Sequence, residues 1–192
     1  LIIDALNTFI RNYVVSPTMD RSGIPIGGTI GFVKSLQKVM RQCRPHEVVI
    51  CWDGIGGSQR KKQQNENYKE GRKPLRFNRR MIDLDPKSQE QNKIHQQIRL
   101  FEYLNELPMI QLTYDGVEAD DVIGTLACQA TEKKIETIIS TGDKDIAQLV
   151  SKYVTLIDTM TGASTDLEGV IKKFGVPANL IIDYLALMGD SS

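Results

Sequence analysis

Histidine is the residue this sequence is shortest of for catalysis. Two occur in 192 residues, His46 and His95. Neither has an acid partner at ligand or relay spacing, so His-based acid–base work and Ser-His hydrolysis have little support. Cysteine is scarce as well. Cys43, Cys51 and Cys128 are scattered, lack a C-x-x-C pair and sit in apolar surroundings. That argues for buried free thiols in a reducing, cytoplasmic setting. No apolar run approaches the ~20 residues that span a bilayer, and no signal peptide is visible. No glycine-rich loop ends in Gly-Lys-Ser/Thr, which removes nucleoside-triphosphate hydrolysis. Net charge is zero, so total charge says nothing about partners.

What is present is a partition of charge. From Gln59 to Arg80 there are nine Lys and Arg against two Glu, a balance of +7. From Asp115 to Asp145 there are eight Asp and Glu against three Lys, a balance of −5. One basic and one acidic segment in a neutral chain point to separate tasks. The basic arm holds Arg60, Lys61, Lys62, Lys69, Arg72, Lys73, Arg76, Arg79 and Arg80, with Tyr68 and Phe77 interleaved. Too few of its residues are apolar for it to bury itself, so it orders on binding something. A charge run can be no more than a solvated face. The excess of nine to two and the aromatics favour a phosphate-binding role instead.

Hydrophobic content of 41% and charged content of 25% describe an ordinary globular chain. Leu1–Asp4 and Glu47–Gly54 read as buried strands that end in a carboxylate. Each Asp can cap a helix, or face the crevice where α/β sheets bind ligands; two such strand ends favour the crevice. The lone Trp52 reads as core packing. Ile30, Val33, Leu36, Val39, Met40 and Cys43 recur at helical spacing up to Pro45, and Ile94, Ile98, Phe101, Leu104 and Leu107 mark a second amphipathic helix. Strands follow at Met109–Thr113, Ile135–Ser140 and Tyr153–Asp158. Strands alternate with helices, which predicts an α/β fold with a mainly parallel central sheet flanked by helices. After Thr161-Gly162 short helices take over, which places a boundary near residue 162.

The acids are where the chemistry gathers. Gly116-Val117-Glu118-Ala119-Asp120-Asp121 opens a helix, and Asp143 and Asp145 follow a strand about twenty residues later. Helical spacing puts Glu118 and Asp121 on one face and sends Asp120 elsewhere, unless the first turn is irregular. The helix dipole explains one or two acids in a first turn. It does not explain four strand ends with acids behind them. Carboxylates crowd only around a cation or at the expense of ionisation. Oxygen ligands without His or Cys suit Mg²⁺ or Mn²⁺. Two such ions about 4 Å apart are the usual clamp for attack on a phosphodiester.

Gly116–Gly124, Ile139–Asp145, Thr159-Met160-Thr161 and Leu185–Ser192 closely resemble the 5′-nuclease domain of bacterial DNA polymerase I and the stand-alone 5′–3′ exonucleases of the flap endonuclease family. The resemblance is near-continuous from Val117 to Ser192 and looser from Leu1 to Arg72. It implies a PIN-like catalytic domain over residues 1–162, with a basic helical arch at about 58–90. It further implies that residues 163–192 begin a helix–three-turn–helix DNA-binding domain. By position, Asp4, Asp53, Glu118, Asp120 and Asp121 would form one group of metal ligands, and Asp143, Asp145 and Asp190 a second. Asp121 and Asp143 would also count as catalytic. Tyr68-Lys69-Glu70-Gly71-Arg72 matches the arch motif, so Lys69 and Arg72 would act on the scissile phosphate and Tyr68 would stack on a base. Arg60, Lys73 and Arg76 would add DNA contacts.

The implied activity is two-metal cleavage near 5′ ends of branched DNA or RNA–DNA hybrids, with two Mg²⁺ and Mn²⁺ as substitute. The implied partner is a 5′ flap, fork or nicked duplex bound by a monomer, with no membrane. The sequence departs from the family in placing Ala5-Leu6-Asn7 after the first Asp, and in a longer, more basic Lys73–Ser88 stretch that points to a stand-alone enzyme. The next family Asp would fall beyond Ser192, and both ends read as cut. Two other readings stay open. One is a PIN-type single-strand ribonuclease, against which the basic arch and the helices after 162 argue. The other is a non-catalytic fork-binding module whose acids hold a structural cation.

Overall fold

A computed structural model describes residues 1–57, 78 and 84–188 of the chain. The predicted parallel α/β sheet is present. Among the described residues it has six strands in the order β3-β2-β1-β4-β5-β6. Here β1 is Ile2–Asp4, β2 Val49–Cys51, β3 Ile110–Leu112, β4 Thr137–Ser140, β5 Val154–Ile157 and β6 Ser164–Thr165. The first five pair in parallel, and only β6 runs antiparallel, as the return of a hairpin from β5. Strand order reverses beside β1, which lies between β2 and β4. A crevice opens at the carboxyl ends of the strands at such a switch point.

Each strand divides its side chains between two faces, because strand residues alternate. Ile2 and Cys51 face one core, with Ala119, Ile123, Ile139, Val154 and Leu156. Ile3 and Ile50 face the other, with Phe9, Phe32, Leu36, Leu100 and Leu104. Helices α1 (Ala5–Val15), α2 (Gly27–Cys43) and α3 (Pro86–Asn105) cover the second face. Helix α4 (Ala119–Glu132), the 3₁₀ turn Asp145–Leu149, α5 (Leu167–Phe174) and α6 (Ile181–Met188) line the first. Val170, Ala178 and Ile181 belong to that core, so residues past 162 pack on the same sheet. Trp52 is buried and stacks near Phe32, ring centroids 6.4 Å apart, as core packing requires.

Two elements were not expected from the pattern. Helix α1 buries Thr8 and Asn12 along with Phe9 and Tyr13, and those polar residues break its apolar stripe. Strand β6 has two residues, too few to show an alternation. The expected helix over Ser88–Leu107 begins slightly earlier, where Asp85 caps α3 by accepting from Lys87 and Ser88 N–H groups at 3.0 and 3.1 Å. Among the described residues, no helix is long and apolar enough to cross a membrane.

Candidate metal edge

The carboxyl ends of β1, β2 and β4 bring the acids to one edge of the sheet. Asp4 ends β1 and is also the N-cap of α1. Its Oδ1 accepts from Asn7 N–H at 3.1 Å, and Oδ2 accepts from the Thr141 hydroxyl at 2.8 Å. Asp4 is 4% exposed. Burial pushes its carboxyl up to about 7; the bonds from Thr141 and Asn7 hold it down, and the charges of Asp120 and Asp143 raise it further. The neighbouring Cys51 thiol is pushed up to about 12, first by burial and then by the Asp4 charge.

Asp53 lies just past β2 and reaches across to α4, where Oδ1 accepts from Ala119 N–H at 2.7 Å. It thereby caps a helix whose own N-cap, Glu118, makes no side-chain cap bond. The approach is tight: a Cβ on Gly54 would overlap the Tyr114 carbonyl, and Gly54 N–H donates to Val117 O at 2.9 Å. Glu118 is buried, with an extended backbone at φ −80° and ψ 153°. The helix therefore starts one residue later than the spacing argument assumed. The charge of Asp120 reaches Asp4 and raises its carboxyl. Asp121 occupies the next position of the same first turn and is exposed.

The second acidic pair follows β4. Thr141 Oγ1 accepts from Asp143 N–H at 3.1 Å, and Asp143 Oδ1 accepts from Asp145 N–H at 2.9 Å. These bonds curl the chain so that Asp143 comes beside Asp4 while Asp145 opens the 3₁₀ turn. Thr141 Oγ1 thus joins Asp4 to the Asp143 backbone, and Asp53 is tied separately to the start of α4. Among the described residues, no three or more His, Cys, Asp or Glu side chains stand close enough together to hold a metal ion. Like charges with separate hydrogen-bond partners stand apart. The donor set still fits a hard divalent cation, because the charges acting on the buried Asp4 carboxyl are those of further carboxylates.

Asp190 lies outside the described residues, as do Arg60, Tyr68, Lys69, Arg72, Lys73 and Arg76 and with them most of the expected arch. Sequence reading missed Asn7, Arg11, Thr141 and Asp158 at this edge. Asn7 and Arg11 follow Asp4 at i+3 and i+7 on one face of α1, a helix the pattern did not announce. Their partners, about 135 residues away in sequence, were not legible either.

The family described as 5′–3′ exonuclease, N-terminal resolvase-like domain, matches residues 1–175. Over 191 residues the chain is 37% identical to DNA polymerase I of Pseudomonas aeruginosa, covering 99% of this chain and 19% of that protein. It is 33% identical over 196 residues to the flap endonuclease Xni of Shewanella loihica, covering all of this chain and 67% of that one. The chain spans about a fifth of the DNA polymerase I relatives. Among solved structures, the T5 D15 protein co-crystallised with metal ions superposes with a TM-score of 0.73 at 18% identity, over 98% of this chain and 66% of that one. At that identity the likeness is one of fold.

Proposed function

The chain belongs to the 5′–3′ exonuclease family, and from that premise we propose that it is a metal-dependent, structure-specific 5′ nuclease. It would hydrolyse phosphodiester bonds near 5′ ends of branched DNA, with RNA–DNA hybrids as a further substrate. The observation that carries the reading is the buried Asp4 carboxyl with Asp120 and Asp143 acting on it at the carboxyl ends of parallel strands. Such an edge is built for cations rather than for proton transfer by histidine. Asp4, Asp53, Glu118, Asp120 and Asp121 would hold one Mg²⁺, and Asp143, Asp145 and Asp190 a second. When bound, such ions supply an activated water and neutralise charge on the phosphate.

The chain's own part is to fix those oxygens. Ala119 N–H at the start of α4 holds Asp53, while Thr141 steadies Asp4 and the Asp143 backbone together. Lys69 and Arg72 would approach the phosphate from the basic arm and stabilise charge as it develops. The arm would also carry Arg60, Tyr68, Lys73 and Arg76 onto the single strand. The test is cleavage of a 5′-labelled flap with Mg²⁺. Asp143→Asn and Asp121→Asn should abolish cutting yet bind the flap nearly as the wild type does. Wild-type rates in either variant would defeat the metal assignment, and cleavage of single-stranded RNA in preference to the flap would favour the ribonuclease reading.

A further inference from the structure

Three residues of α1 meet the acidic turn one after another. Asp4, Asn7 and Arg11 share a helix face at i, i+3 and i+7. Asp4 takes the Thr141 hydroxyl at 2.8 Å. Asn7 Oδ1 accepts from Gly142 N–H at 2.9 Å. The Arg11 guanidinium lies over Gly142 so closely that a Cβ there would overlap it. Arg11 is anchored from its far side, with Nη2 2.8 Å from Asp158 Oδ2. Asp158 is itself fixed by Met160 N–H, Thr161 N–H and the Thr161 hydroxyl at 2.9, 2.8 and 3.1 Å. Arg11 Nη1 is buried and has no hydrogen-bond partner among the described residues.

This stripe opposes a repulsion. The turn it grips carries Asp143 and Asp145, and carboxylates held near Asp4 repel it. A turn held by its internal bonds alone would be free to swing Asp143 away from β1. We propose that Asn7 and Arg11 are positioning residues, which register the Thr141–Asp145 turn against α1 and so hold Asp143 beside Asp4 in readiness for a shared divalent cation. The proposal rests on the nuclease reading of this edge. Arg11 acts here through Gly142 and Asp158 rather than as a phosphate contact, and Gly142 is needed because any side chain would displace the guanidinium.

The experiment measures Mn²⁺ binding to the full chain without DNA, by calorimetry or electron paramagnetic resonance, beside Mg²⁺ titrations of flap cleavage. Asn7→Ala, Arg11→Met and Gly142→Ala should each weaken Mn²⁺ binding by roughly 10–100-fold, the usual effect of removing a group that orients metal ligands. The Mg²⁺ midpoint for cleavage should move in step, with turnover largely recovered at saturating metal. Arg11→Lys keeps the partner for Asp158 but not the cover over Gly142, and should fall between wild type and Arg11→Met. Mn²⁺ affinity within twofold of wild type in folded Asn7→Ala and Gly142→Ala overturns the proposal. Should Arg11→Met fail to fold, those two variants decide the matter. An Arg11 variant that binds Mn²⁺ normally but grips the flap weakly would make Arg11 a phosphate contact and overturn its positioning role. Wild-type protein that binds Mn²⁺ but does not cut the flap would refute the nuclease reading and leave the positioning result standing.

Discussion

Replacing Asp4 with Asn should stabilise the metal-free protein at the same time as it ends cleavage. Burial is the main reason the Asp4 carboxyl rises from 3.8 to about 7. Between those values the folded state holds more protons than the unfolded chain. Stability therefore falls as pH rises through that window and levels off above about 7. At about 1.36 kcal/mol per pKa unit, the buried charge costs about 1–2 kcal/mol at pH 5 and about 4 kcal/mol at pH 8. Asn removes that cost and still caps α1, since Asn and Asp serve equally as N-caps. The Thr141 hydroxyl can meet the amide. For a chain of this size each kcal/mol moves Tm by about 2–4 °C, so Asp4→Asn should melt roughly 8–15 °C higher at pH 8 in a chelator and only a few degrees higher at pH 5. Circular dichroism melts at both pH values are the assay. Mg²⁺ at pH 8 should raise the Tm of wild type and leave Asp4→Asn unmoved. A gain equal at the two pH values, or a loss at pH 8, would refute the reasoning, because neither follows from an ionised carboxylate held in an apolar crevice.

Other changes test other parts of the molecule. Lys69→Ala and Arg72→Ala should slow single-turnover cleavage by roughly 10²–10³-fold, as expected for groups that act on developing charge; unchanged rates would make both part of a solvated face. Gly54→Ala forces a Cβ into the backbone of Tyr114, which cannot swing aside, and should lower stability to urea by about 1–3 kcal/mol. The same strain should loosen the bond from Asp53 to the start of α4, and an unaltered urea midpoint would show the backbone giving way freely. Replacing Arg76 with Ala should reduce the slope of log binding constant against log salt by about 1, and a slope equal to wild type would remove Arg76 from the phosphate contacts.

Much of the architecture was legible because it is written locally. Buried runs such as Val48-Val49-Ile50-Cys51 and the apolar stripe of α2 announce themselves by period. A carboxylate at or soon after the end of an apolar run stands out wherever it occurs, which is why Asp4, Asp53, Asp120, Asp121, Asp143 and Asp145 were singled out as candidates. Helix α1 was not, because its buried face includes Thr8 and Asn12, and their polarity hides the stripe.

The sequence by itself determined the α/β class, the strand-end acids and their suitability for hard cations, since these depend on residue type and short-range spacing. The tertiary structure decided which acids meet. Strand order places β1 between β2 and β4, so Asp4 faces the Thr141–Asp145 turn instead of another strand end. The extended Glu118 stands as the N-cap of α4, so Asp120 and Asp121 fall in its first turn. The Asn7–Gly142 bond joins residues 135 positions apart. Side chains separated that far are brought together only by the packing of the whole sheet, and no local pattern carries that information.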